Sequence, residues 1–145
     1  MKNLFDISGR VMVITGGYGI LGRHIAAYLV AQGAKVVIVG RSAEKGQALV
    51  DELKTTGEAL TAARDTIIAT YGTIDVLINA AGGNMPGATI APDKTFFDLD
   101  VEAVRKVVDL NLFGTIISTQ VFVETMAKAG QGVIVNFSSE SALRP

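Results

Sequence analysis

The sequence of 145 residues contains no cysteine and no tryptophan, and it has one histidine and three prolines. Without cysteine there can be no disulfide framework, no thiolate nucleophile and no Cys-based zinc site. The single imidazole, His24, leaves little for other metals, and no metal is expected. Charge is sparse: Asp, Glu, Lys and Arg make up 19% of the chain, and 13 basic against 14 acidic residues leave a formal net charge of -1. No electrostatic footprint points to nucleic acid or to an anionic membrane. Met1 to Phe5 lacks the apolar run of a signal peptide, and the longest apolar stretch, Ile25 to Ala31, is too short to cross a bilayer. What remains is the expectation of a cytoplasmic protein whose partners are small molecules, with neither nucleic acid nor membrane among them.

Apolar residues and glycine are plentiful, at 49% and 16 residues. That is a globular composition, and the length suits one domain. Val11-Met12-Val13-Ile14 is a short apolar run without polar alternation, as expected of a strand buried on both faces. From Ile20 to Gln32, Leu21, Ile25, Tyr28 and Leu29 recur at helical spacing, and Gly33 follows where a helix usually stops. Val36-Val37-Ile38-Val39 repeats the strand, and Ser42 can cap a second helix to about Thr55, with Leu49, Val50 and Leu53 on one face. A third helix, Leu60 to Tyr71, leads through Gly72 into a strand from Ile74 to Ile78 that ends at Asn79. After a glycine- and proline-rich loop, Ala81 to Pro92, Asp100 can cap a long helix from Val101 to Ala129. Gly130 and Gly132 then release the chain into a last strand, Val133 to Phe137.

This alternation predicts an α/β fold, a Rossmann-type doubly wound parallel sheet with helices on both faces, in a single domain over residues 1–145. Two places break the pattern. Only Gly57-Glu58-Ala59 separates the second and third helices, where a strand is due. A last strand with no helix after it would leave a long apolar sheet edge. The reading is therefore of a domain with residues missing near 57–61 and after Pro145, the chain covering its N-terminal part.

Thr15-Gly16-Gly17-Tyr18-Gly19-Ile20-Leu21-Gly22 contains Gly-x-Gly-x-x-Gly at Gly17, Gly19 and Gly22, directly between a strand and a helix. In that context the backbone can turn tightly and approach a pyrophosphate, whose charge meets the positive helix N-terminus. About twenty residues beyond such glycines, sites for NAD place a carboxylate on the ribose 2′-OH. Here the region reads Gly40-Arg41-Ser42. The Arg41 guanidinium can pair with a 2′-phosphate and Ser42 can add a hydrogen bond, so NADP is favoured over NAD as cofactor. The plain alternative is a solvated arginine followed by a helix cap.

Taken together, the Thr15-Gly16 start, Asn79-Ala80-Ala81-Gly82 after a strand, Asn111 within Asp109-Leu110-Asn111-Leu112-Phe113-Gly114, and Asn136-Phe137-Ser138-Ser139 resemble the short-chain dehydrogenase/reductase family in kind and order. Gly82-Gly83-Asn84-Met85-Pro86, Thr95-Phe96-Phe97-Asp98-Leu99 and the stretch from Ser138 to Pro145 look most like its D-mannonate oxidoreductase or fructuronate reductase branch. Thr-Gly-x-x-Gly-x-x-Gly is the spacing more usual in the extended members, other members carrying Thr-Gly-x-x-x-Gly-x-Gly. The resemblance implies hydride transfer between NAD(P) and a carbonyl or secondary alcohol, with a sugar keto acid as the substrate class. It implies that residues 15–22, Arg41, Ser42 and Asn79 to Gly82 hold the cofactor. Ser139 would hydrogen-bond the substrate oxygen where charge changes, and Asn111 would hold a water in the proton relay. The family's catalytic Tyr-x-x-x-Lys is absent, because Tyr18, Tyr28 and Tyr71 are followed four residues on by Gly22, Gln32 and Asp75. In the family that motif lies beyond the serine, and a strand ending in Asp-Val that holds the adenine is also missing, at the Leu60 junction. If both absences are real, the residues make a non-catalytic nucleotide-binding protein instead.

The remaining candidates are weaker. His24, beside Arg23, reads as a solvated helix residue, and no Gly-x-Ser-x-Gly elbow accompanies it. Arg144 could meet a substrate carboxylate bidentately. Phe96, Phe97, Phe113 and Phe122 are expected in the core or in subunit contacts. The long helix carries more apolar surface than one sheet face requires, and helices there pair between subunits in the family, which implies a homodimer or homotetramer.

Overall fold

The computed structural model describes residues 5–40 and 57–140, apart from the side chains of 57–59. The second helix read over 42–55, together with Arg41, Ser42 and Arg144, lies outside the described residues. In order, the elements are β1 (Val11–Thr15), α1 (Ile20–Ala31), β2 (Lys35–Val39), α2 (Gly57–Tyr71), β3 (Val76–Asn79), α3 (Val101–Val108), α4 (Gly114–Ala129) and β4 (Val133–Asn136). A π-helical turn, Asp109–Phe113, joins α3 to α4, and the loop after β3 holds 3-10 turns at Pro86–Ala88 and Phe96–Asp98. Residues 57–61 open α2.

All four strands are parallel, in the order β2-β1-β3-β4. The chain steps from β1 to β2 on one side and then returns to β3 on the other. That reversal opens a crevice between the C-terminal ends of β1 and β3, which is where open α/β sheets take their ligands. β1 is buried along its whole length. Its alternating side chains feed two cores: Val11 and Val13 meet Ile67 of α2 and Phe122 and Met126 of α4, while Ile14 meets Ala26 of α1 and Ile78 of β3. Helices thus cover both faces, as the doubly wound reading requires.

One expectation about faces is corrected. On α1, Leu21 and Tyr28 are exposed, at 55% and 65%, while the small residues Gly22 and Ala26 are buried. The helix starts so close to the glycine loop that a Cβ on Gly22 would stand 2.5 Å from the Gly16 carbonyl oxygen, so small side chains face the sheet and large ones turn outward. Among the phenylalanines only Phe122 is core, whereas Phe96, Phe97 and Phe113 are exposed, Phe96 and Phe97 meeting edge to face with centroids 6.0 Å apart.

Asp100 caps the long helix as expected, its Oδ1 accepting the Glu102 N–H at 2.9 Å. The 29 residues Val101–Ala129 are long and apolar enough to cross a membrane by length and composition. In this fold Phe122 and Met126 instead pack against β1 and α2.

Candidate functional site

The crevice is made by the glycine loop on one side and the turn after β3 on the other. Thr15 closes the gap between them: its Oγ1 accepts the Ala81 N–H at 3.2 Å. Gly16 has φ +69°, and a Cβ there would lie 2.7 Å from Ala81 Cα, so glycine is needed both for the turn and for the approach of the two backbones. Gly19 caps α1 without a side-chain hydrogen bond, and the first turn carries no acidic residue. The amides opening α1 are therefore left uncovered, and with the helix dipole they form a site for an anion.

A cleft of about 280 Å³ is lined by Thr15, Gly16, Tyr18 and Gly19 to Gly22, by Val39 and Gly40 at the end of β2, and by Ala80 to Gly82. It shares Leu60, Leu110, Gly114 and Ser118 with a larger cavity of about 600 Å³, whose walls include Met85, Lys106 and Asp109. The two form a continuous trough at the C-terminal edge of the sheet. Gly17 is buried behind the cleft against Ile38 rather than on its wall. Arg41 and Ser42, read as readers of the ribose, lie outside the described residues.

Asn79 is also behind the wall. It is buried, and its Nδ2 donates to Asn136 Oδ1 at 2.8 Å and to Thr119 Oγ1 at 3.2 Å. It thereby ties β3 to β4 and α4 beneath the site, while its Oδ1 has no hydrogen-bond partner among the described residues. Asn136 and Thr119 were not singled out in the sequence, although Asn136 opens the Asn-Phe-Ser-Ser stretch that was.

Asn111 sits in the π-helical turn, where the widened helix turns its side chain across to the loop after β3. Its Oδ1 accepts the Gly83 N–H at 2.9 Å and its Nδ2 donates to the Gly83 carbonyl at 3.0 Å. Both ends of the amide are thus engaged by one glycine, which fixes the loop that carries Ala80 to Gly82. The Asn111 carbonyl accepts the Thr115 hydroxyl at 2.9 Å. Gly83 stood in the sequence only as part of the Gly82-to-Pro86 likeness, with no role of its own.

Ser139 follows β4 on the same sheet edge and is exposed, but it lines neither cavity. The structure therefore brings together the glycine loop, Ala80 to Gly82 and Asn111, and leaves Ser139 outside that group. Among the described residues no cluster of His, Asp and Glu suited to a metal occurs. His24 is exposed on α1, away from the trough.

A profile described as short chain dehydrogenase matches residues 10–145. An uncharacterized oxidoreductase of Bacillus subtilis (strain 168), UxuB, is 35% identical over 161 aligned positions, covering 97% of this chain and 58% of that protein. A short-chain type dehydrogenase/reductase from Mycobacterium ulcerans superimposes with a TM-score of 0.85 at 30% identity, covering 95% of this chain and 54% of that one. A protein from Haemophilus influenza, proposed to be a D-mannonate oxidoreductase and solved with bound NAD, gives a TM-score of 0.79 at 29% identity, covering 97% of this chain and 58% of that one. The chain thus spans less than three-fifths of the length of these proteins. The alignment with the Bacillus protein is longer than the 145 residues here, so that protein carries residues with no counterpart in this chain.

Proposed function

Because the chain belongs to the short-chain dehydrogenase family, we propose that it is an NAD(P)-dependent oxidoreductase moving a hydride between the nicotinamide cofactor and a carbonyl or secondary alcohol. The observation that carries this is the uncapped start of α1, wrapped by a glycine loop at the point where the strand order reverses. The cofactor, when bound, supplies the hydride chemistry. The chain's residues bind and orient it: the amides of Ile20 to Gly22 hold the pyrophosphate, and the small residues Ala80 to Gly82 let the rest of the dinucleotide lie against backbone. Gly40-Arg41-Ser42 favours NADP over NAD.

Ser139 is the catalytic group of this reading, its hydroxyl hydrogen-bonding to the substrate oxygen as charge builds there. Asn111 acts by positioning, since it fastens the loop at Gly83. A sugar keto acid of the fructuronate type is the substrate class, supported by the sequence likeness to that branch and by the name of the Haemophilus neighbour. The exposed Val108, Leu112, Phe113 and Ile116 along α3, the π-helical turn and α4 support a homodimer or homotetramer. A single domain with residues missing near 57–61 is the reading of the broken alternation in the sequence. A cytoplasmic setting accords with these small-molecule roles.

A non-catalytic nucleotide-binding protein is the second reading. It is favoured by one observation, that no tyrosine of this sequence is followed at four residues by lysine. Assays pairing fructuronate with NADPH and mannonate with NADP, followed by the absorbance of the reduced nicotinamide, separate the two. Turnover that falls by orders of magnitude in Ser139→Ala, with cofactor affinity unchanged, is the outcome expected of the oxidoreductase. Binding without turnover in the unmodified chain would leave the second reading standing.

A further inference from the structure

Thr15, Asn79 and Asn136 stand side by side at the C-terminal ends of β1, β3 and β4, paired in register. In a pleated sheet they share the face of Val13 and Leu77, two residues back, so this polar row closes the core that α2 and α4 cover. Thr115 and Thr119 lie one turn apart on α4. The Thr115 hydroxyl donates to the Asn111 carbonyl at 2.9 Å, and the Thr119 hydroxyl donates to the Thr115 carbonyl at 2.7 Å.

A carbonyl only accepts, so the one proton of the Thr119 hydroxyl is committed to Thr115. What Thr119 offers to Asn79 is a lone pair. The Asn79 group 3.2 Å from it is therefore the NH2, an assignment made by the network rather than by the shape of the amide. That NH2 also lies 2.8 Å from Asn136, which must face it with Oδ1. The buried Asn79 Oδ1, without a partner among the described residues, follows from the same constraint: both neighbours require a donor, and the oxygen is turned to neither.

Asn79 in turn grips the end of β4 twice, by its side chain on Asn136 and by its carbonyl, which accepts the Phe137 N–H at 3.2 Å. Phe137 stands two residues before Ser139. Through Thr115 the same run of hydrogen bonds reaches Asn111, whose amide is clamped on Gly83. Resting on the reading of Ser139 given above, we infer that Thr119 is a positioning residue for the serine segment, acting by fixing which way the Asn79 amide faces.

The test compares Thr119→Val, which keeps the shape and removes the hydroxyl, with Thr119→Ser, which restores it, in the full chain. Amide hydrogen exchange of Phe137, followed by NMR, should speed up by about tenfold or more in Thr119→Val. Exchange of Val133, which bonds the Asp75 carbonyl at the other end of β4, should change by less than about threefold. Turnover of fructuronate at saturation should fall by about tenfold while the dissociation constant of NADPH stays within about threefold, and Thr119→Ser should recover both readouts. Unchanged Phe137 exchange, an equal rise at Val133, or no recovery in Thr119→Ser overturns the inference. So does turnover that Thr119→Val leaves intact. An unmodified chain without turnover overturns the oxidoreductase reading, while the Phe137 exchange still decides whether Thr119 holds the strand end. Asn136→Asp keeps an oxygen facing Asn79 and should leave Phe137 exchange within about threefold; a tenfold rise there overturns the assigned orientation even if Thr119→Val fails to fold.

Discussion

β1 reads Val11-Met12-Val13-Ile14-Thr15 and β4 reads Val133-Ile134-Val135-Asn136, two parallel strands of nearly the same apolar kind. Every residue of β1 is buried, and every residue of β4 is exposed. Among the described residues, β1 has a strand on each side and helices over both faces, whereas β4 pairs with β3 alone. The contrast extends to the ends of the strands. The turn after β1 is locked by Thr15 on Ala81 and by glycines that approach backbone closely, while the described residues after β4 line neither cavity. An apolar run thus specifies a strand, but burial comes from what the rest of the chain lays beside it. The glycine-loop end of the sheet is held by its own contacts, whereas Ser139 stands apart from both cavities.

The sharpest way to break this comparison is to place the same charge in both strands. Val13→Asp, at a position with no exposure, should abolish cooperative unfolding or cost about 4 kcal/mol or more, because the carboxylate has no partner there. Val135→Asp, at a position 40% exposed, should cost no more than about 1 kcal/mol in the same urea titration. Comparable losses would mean that β4 is as enclosed as β1.

A matched pair of glycines sharpens it next. Gly16 and Gly130 both have positive φ, +69° and +67°, but a Cβ on Gly16 meets backbone at 2.7 Å whereas one on Gly130 meets nothing within 4 Å. Gly130→Ala should cost only the left-handed penalty of about 1 kcal/mol. Gly16→Ala should cost about 2 to 3 kcal/mol and remove cofactor binding, since overpacking against backbone adds to that penalty. Asn79 joins the two regions. Asn79→Ala leaves Asn136 Oδ1 without its donor and should cost about 1 to 2 kcal/mol by thermal unfolding.

The smallest effect lies in the helix layer over the sheet. Glu124 accepts from Lys128 at 2.6 Å and from Arg64 of α2 at 3.0 Å, and the Lys128 hydrogen bond, with its charge, holds the carboxyl below the ordinary glutamate value. A lowered carboxylate value stabilises the fold above the ordinary glutamate range, and that contribution is lost as pH falls through the folded value. Because the group is exposed, Glu124→Gln should shift the urea midpoint only slightly near neutral pH, and the shift should vanish in acid.

Much of this architecture was legible in the chain. The strand runs, the glycine stops at Gly33 and Gly130, and the Asp100 cap all fall where their local chemistry put them. What could not be read locally depends on contacts between distant segments. The inward face of α1 follows from its approach to Gly16, which favours Gly22 and Ala26 over Leu21 and Tyr28. The clamp of Asn111 on Gly83 joins residues 28 apart and depends on a π-helical turn that no spacing rule announces. Asn79 stood out as part of a turn at a strand end, yet the structure uses it as a buried tie between β3 and β4. Its place was visible, but its task depends on Asn136, 57 residues away.

The measurement that bears most directly on the whole account is titration of the full chain with NADPH beside the same titration of Gly16→Ala. Saturable one-to-one binding that disappears in the variant, with the variant still folded below its melting point, is the result this account predicts. No binding by the unmodified chain, or binding that Gly16→Ala leaves untouched, would contradict the assignment of the β1–α1 turn as the cofactor site.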